Sequence, residues 1–211
     1  MKNSFINLDA ENAQNFRKLS IITKISQNII KTLDYEQILQ IICDGMSELL
    51  EIERAAIYML KSETELYLGA ATPPLDPKLP DIFRKAYTFD HPHIETSIKK
   101  QKPVLISDTN TEELSPAEKE IIKLSDSQSL LFFPFIRETK AIGVLILGTC
   151  QKSKKYTEVQ IEFGQTVANQ LSVAIQNAQL HNDLRKHSDN LERLVAERTH
   201  ELEAANEEYK A

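Results

Sequence analysis

The chain has 211 residues, 41% of them hydrophobic, which is enough for one well-buried domain of ordinary size plus an extension but short for two full domains. Its formal net charge of -6 comes from interspersed acids and bases, so no basic stripe offers itself to a phosphate backbone, and nucleic acid is excluded as an expected partner. The start, Met1-Lys2-Asn3-Ser4, leads into polar residues, and no stretch approaches the roughly 20 apolar residues a membrane span needs, so membrane insertion is not expected.

Residues 1–14 read as a polar N-terminal segment. From about Ala10 to Leu33, Leu19, Ile22, Ile25 and Ile29 recur at spacings of three and four, which is one face of a helix. Asp34 reads as an N-cap with Gln37 completing a capping box, and the helix it opens carries Ile38, Ile41, Ile42, Gly45, Met46 and Leu49 on one stripe. From Arg54 the pattern changes to two short apolar runs, residues 55–60 and 66–71, separated by Ser62-Glu63-Thr64, which predicts a β-hairpin. The segment from Thr72 to Lys102 is loop-rich and holds Pro73, Pro74, Pro77, Pro80 and Pro92, with helix-like pieces at Ile82-Phe83 and from Ile94 to Ile98. A short strand follows at residues 103–107, and Ser115-Pro116-Ala117-Glu118 opens a helix with proline at its first position.

Two stronger strands, residues 129–136 and 141–148, flank the polar turn Arg137-Glu138-Thr139-Lys140. Both are apolar on both faces, so cover is expected on both sides of their sheet. Pro134 lacks an N–H and belongs at an edge or a bulge. Thr157 with Gln160 is a further capping-box signature, and the helix it starts can run without proline to the chain end. Its first stripe is Ile161, Gly164, Ala168, Leu171, Ile175 and Ala178. A second stripe, Leu180, Leu184, His187, Leu191, Val195, Arg198, Leu202, Ala205 and Tyr209, steps by four and three on another side and reads as a coiled-coil seam among charged neighbours. The consecutive four-residue steps around Leu191 form a stutter that locally unwinds a supercoil. Together these elements predict an α+β fold, a central antiparallel sheet with helices on both sides and a long C-terminal helix continuing as a coiled coil.

Residues that carry chemistry are scarce. The five glycines form no phosphate-cradling cluster, no cysteine pair stands at metal spacing, and no nucleophile sits in an elbow motif, so neither a catalytic nor a metal site is expected. Cys43 and Cys150 lie in apolar contexts that suit small, reduced residues and a cytoplasmic setting. His187 and His200 lie in the coil, outside any phosphoacceptor context.

Several segments carry a family resemblance. Lys102-Pro103-Val104-Leu105-Ile106-Ser107-Asp108, the hairpin from Leu130 to Leu145, and Tyr156-Thr157-Glu158 through Ile175 resemble the strand, final hairpin and closing helix of a GAF domain, over about residues 15–180. Residues 181–211, through Leu191-Glu192-Arg193-Leu194-Val195-Ala196-Glu197-Arg198, resemble the coiled-coil linker before a histidine-kinase core. The resemblance implies a cytoplasmic sensory GAF domain of a two-component sensor histidine kinase, without catalytic activity in this chain. It would pass a small-molecule or redox cue through a parallel homodimeric coil to a kinase output domain in cis. The alternative is a ligand-free GAF module for dimerisation and protein interaction.

The family's ligands can be compared with the residues present. Bilin-binding members attach their chromophore through a cysteine in the crossover region, which this chain lacks, and the Asn-Lys-Phe-Asp-Glu signature of cyclic-nucleotide-binding members is not found in matching order. A GAF-type methionine-sulfoxide reductase would need several cysteines around a pocket. What remains is His91-Pro92-His93, preceded by Tyr87 and Phe89, at the start of the helix that lines the family's pocket, with Phe133 and Phe135 as candidate walls. The two histidines are either exposed or capping residues, or contacts to non-covalent haem, a metal or a small molecule, His93 foremost.

Overall fold

The computed structural model describes residues 19–29, 32, 34–151 and 153–210, with side chains through Thr199; the expected polar segment 1–14 and the seam positions Leu202, Ala205 and Tyr209 lie outside the described side chains. Helix α1 covers residues 19–29. Helix α2, Tyr35–Leu50, begins where the Asp34 side chain accepts the Gln37 N–H at 3.0 Å. The expected box is only half made, because the Gln37 side chain turns to the Thr32 hydroxyl at 3.1 Å. Ile21 and Ile25 are buried against α2 while Leu19 points outward. Ile22, Ile25 and Ile29 of the expected face pack on the core with Ile21 in place of Leu19, and a Cβ at Gly45 would run into the Ile25 side chain where the two helices meet.

Strands β1 (Arg54–Leu60) and β2 (Glu65–Thr72) form the first hairpin, with a bulge between Ile57 and Tyr58. The crossover supplies β3 (Lys85–Tyr87), helix α3 (Pro92–Lys100) and β4 (Val104–Ile106). Helix α4 (Pro116–Ser125) starts from a complete Ser115/Glu118 capping box with Pro116 in its first turn. Strands β5 (Ser129–Arg137) and β6 (Lys140–Thr149) form the final hairpin, and α5 runs from Glu158 to Lys210. Reciprocal bonds between Thr157 and Gln160 open α5 as a second complete box.

All six strands pair antiparallel in the order β3-β2-β1-β6-β5-β4. Pro134 lies on β5 beyond the last residue paired with β4, Phe132, so its missing N–H breaks no ladder on that side. Because side chains alternate across a strand, the sheet carries two separate apolar sets. Ile57, Met59, Leu131, Phe133, Phe135, Leu145 and Leu147 face α2 and α5, joined by Ala168, Leu171, Ile175 and Ala178 of the first α5 stripe. Tyr58, Phe132 and Val144 face the other way, under Ile94 of α3, Ile106 and Leu114. Both faces are covered, as the doubly apolar strands require. Burying each of these large side chains contributes roughly 1.5–3 kcal/mol.

A cavity between the sheet and the crossover helices

The second apolar face lines a half-open cavity of ≈ 120 Å³. On β1 the alternation that turns Tyr58 to this side also turns Ala56 and Arg54, and their partners on β6 are Ile146 and Gly148. Phe132 and Leu130 of β5, Leu68 and Ala71 of β2, and Ile94, Ile121 and Ile122 of the overlying helices complete an apolar wall. The crossover is tied down over it by the Tyr58 hydroxyl, which donates to the Phe83 carbonyl at 2.9 Å. Burial raises the Tyr58 pKa and keeps that hydroxyl protonated.

His91 lines the cavity and is 5% exposed. Its backbone caps α3 in an extended-side conformation (φ -125°, ψ 79°), enforced by Pro92 at the first helical position. No described residue hydrogen-bonds its ring, and burial lowers its pKa despite the carboxylates of Glu118 and Asp90, so a neutral imidazole is favoured. Glu118, 7% exposed, also lines the cavity, but its oxygens are engaged. One carboxylate oxygen accepts the His93 N–H at 3.1 Å and lies 3.0 Å from His93 Nδ1; the other accepts the Ser115 N–H at 3.0 Å. This one side chain thus pins the start of α3 to the start of α4.

His93 itself stands behind the wall. Its ring stacks on Phe132 with centroids 6.2 Å apart, and its Nε2 lies 3.6 Å from Glu112. Tyr87 and Phe89 stack on each other at 5.2 Å, with Phe89 64% exposed, and neither lines the cavity. Phe133 and Phe135, expected as walls, are fully buried on the opposite face against α2 and α5, and Phe132 occupies the wall instead. Of the six residues singled out from sequence, the structure brings His91 alone to the cavity surface. Sequence reasoning missed Arg54, Tyr58, Phe83, Glu118 and Phe132; strand parity counted from one cavity residue would have found Arg54, Tyr58 and Phe132.

At the far end, Arg54 Nε donates to Cys150 Sγ at 3.0 Å, and no described carboxylate pairs with its guanidinium. Ser125 and Ser127 share a hydroxyl–hydroxyl bond of 2.8 Å beside it. Cys43 lies in the other layer, where burial pushes its thiol up to about 12. Among the described residues no group of three His, Cys, Asp or Glu could hold a metal, and no helix is long and apolar enough to cross a membrane.

The sequence model described as GAF domain matches residues 34–175. A curated relative, the circadian input-output histidine kinase CikA of Thermosynechococcus vestitus, is 35% identical over 78 residues, 37% of this chain and 11% of that protein. The chain thus matches about a tenth of that relative's length. Among solved structures, the GAF domain of an Acinetobacter phosphoenolpyruvate-protein phosphotransferase is 18% identical with a TM-score of 0.63, covering 79% of this chain and 98% of that one. Free methionine-R-sulfoxide reductase from Neisseria meningitidis, solved with its substrate, is 15% identical with a TM-score of 0.62 over 78% of this chain and 91% of that one. A phycoerythrobilin-bound domain of a cyanobacterial phytochrome is 18% identical with a TM-score of 0.62 over 78% of this chain and 97% of that one.

Proposed function

This chain belongs to the GAF domain family, and we propose on that basis that residues 15–180 form a cytoplasmic sensory domain whose cavity takes a small molecule. Residues 181–211 then carry the occupancy state, as one strand of a parallel dimeric coiled coil, to the output domain of a sensor histidine kinase. The observation that carries this reading is the cavity itself, where a few polar side chains, His91 and Glu118 at one end and Arg54, Ser125 and Ser127 at the other, converge on a predominantly apolar wall. Apolar walls with a few convergent polar groups are what a small-molecule site presents. The kinase context is supported by the stretch shared with a circadian histidine kinase. The dimer is supported by α5, where Leu180, Leu184, Leu191 and Val195 are exposed in the single chain at coiled-coil spacing.

Neither cysteine lines the cavity, so no thioether to a bilin is available there, and ≈ 120 Å³ is small beside the roughly 300 Å³ at which drug-sized pockets begin. The same small volume favours the second reading, a ligand-free dimerisation and interaction module. Denaturing extraction of the purified chain followed by mass spectrometry separates the two. A stoichiometric small molecule, displaced in a cavity-filling Ala56→Phe variant of unchanged fold, is the expected result. Its absence, together with no ligand-induced shift of lining amides across a metabolite panel, would leave the interaction module as the function.

A further inference from the structure

The two ends of the cavity are chemically different, and α4 measures the distance between them. Glu118, beside His91, and Ser125, beside Arg54, both line the cavity and lie two helical turns apart, about 10 Å at 1.5 Å per residue. At the Ser125 end stand a guanidinium with no carboxylate partner among the described residues and the hydroxyls of Ser125 and Ser127. At the Glu118 end stands the unpartnered ring of His91. Between them the walls are Ala56, Ile122, Leu130, Phe132 and Ile146.

We propose that this cavity is selective for a small monocarboxylic acid with a single-ring or short branched apolar body and a hydroxyl at its far end. This deepens the sensory reading and rests on it. The carboxylate accepts hydrogen bonds from the half-buried Arg54 at the hydroxyl-lined end, a charge-assisted contact that no described carboxylate of the chain makes there. The body fills the apolar middle, which excludes inorganic anions because they would leave that wall empty. The distal hydroxyl meets His91, whose neutral ring can donate from one nitrogen or accept at the other. The size limit follows from volume: an engineered apolar cavity of about 150 Å³ takes a benzene ring, and ≈ 120 Å³ is of that order.

The test uses the full chain with 4-hydroxybenzoate, 4-hydroxybenzamide and 2-naphthoate as probes, read by calorimetry and by amide chemical shifts of Ala56, Ile122 and Phe132. The acid should bind at least tenfold more tightly than the amide, and 2-naphthoate should not bind. Arg54→Gln should abolish the preference for the acid by weakening the acid alone, while Arg54→Lys retains part of it. His91→Phe should cost 4-hydroxybenzoate its advantage over benzoate. Equal binding of acid and amide, or full acid affinity in Arg54→Gln, overturns the assignment. Xenon under pressure probes the cavity independently. If xenon shifts the same amides and the acid does not bind, the ligand class is wrong and the cavity reading survives; if xenon shifts none of them, the sensory reading fails and this assignment with it.

Discussion

His91 shows how a single buried side chain makes stability depend on pH. Its folded pKa is lowered below the ordinary 6.5, first by burial, against the opposing pull of Glu118 and Asp90. In the unfolded chain the ring takes up a proton near 6.5, whereas the folded chain resists it. The unfolded state therefore binds more protons below that pH, and the stability contributed by a neutral His91 is present above about pH 6.5 and lost as pH falls through it. Urea unfolding at pH 7.5 and pH 5.5 should show a loss on acidification that shrinks in His91→Asn. An equal loss in both proteins would assign the acid sensitivity to other groups. Glu118 acts differently, as a positioning residue that holds both α3 and α4 through its two oxygens.

At the scale of elements, α5 meets the sheet through Gly164, where an added Cβ would run into the ring of fully buried Phe133. Alanine is the better helix former by about 1 kcal/mol, yet overpacking a closed core costs about 1–3 kcal/mol. Gly164→Ala should therefore lower stability, by up to about 2 kcal/mol in chemical denaturation. In a Phe133→Leu background the same change should become neutral or stabilising, because the ring is gone. Elements of this kind were legible in the sequence where the signal was local. The box at Thr157/Gln160, the proline opening of α4, the Asp34 cap of α2 and both hairpins depend on neighbours within a few residues. The orientation of β5 was not legible, because Leu130 to Phe135 is apolar at every position and a strand buried on both faces has no alternation to read. That is why Phe133 was expected at the cavity and Phe132 is found there. The α1 face was read correctly at Ile22, Ile25 and Ile29 and missed at its edge, where Ile21 is buried and Leu19 is exposed.

At the scale of the whole molecule, α5 serves two surfaces in succession. Up to Ala178 its apolar stripe is buried in the domain; beyond it, no described residue of α5 is buried, and Leu184 and Leu191 are 68% and 63% exposed. Large aliphatic side chains left open at four- and three-residue steps call for a second helix, with roughly 1.5–3 kcal/mol for each leucine fully covered. Sedimentation of the chain at micromolar concentration should give a dimer, and Leu184→Lys with Leu191→Lys should give a monomer whose globular part unfolds as before. A monomeric wild type would sink the coiled coil. Loss of the globular transition in the double variant would place these leucines in the domain instead.

The alternation along β1, β5 and β6 has a consequence for how such a protein can change over generations. Ala56, Tyr58, Leu130, Phe132 and Ile146 serve the cavity, while their immediate neighbours Ile57, Met59, Leu131, Phe133, Leu145 and Leu147 serve the layer that carries α2 and α5. Substitutions at the first set can retune what the domain recognises without repacking the second, and the reverse holds equally. The cavity lining and the layer under α2 and α5 are thus inherited as two interleaved but separable sets of positions. A chimaera that exchanges only the cavity-facing residues of these three strands with those of a relative should acquire the donor's ligand and keep its own signalling helix.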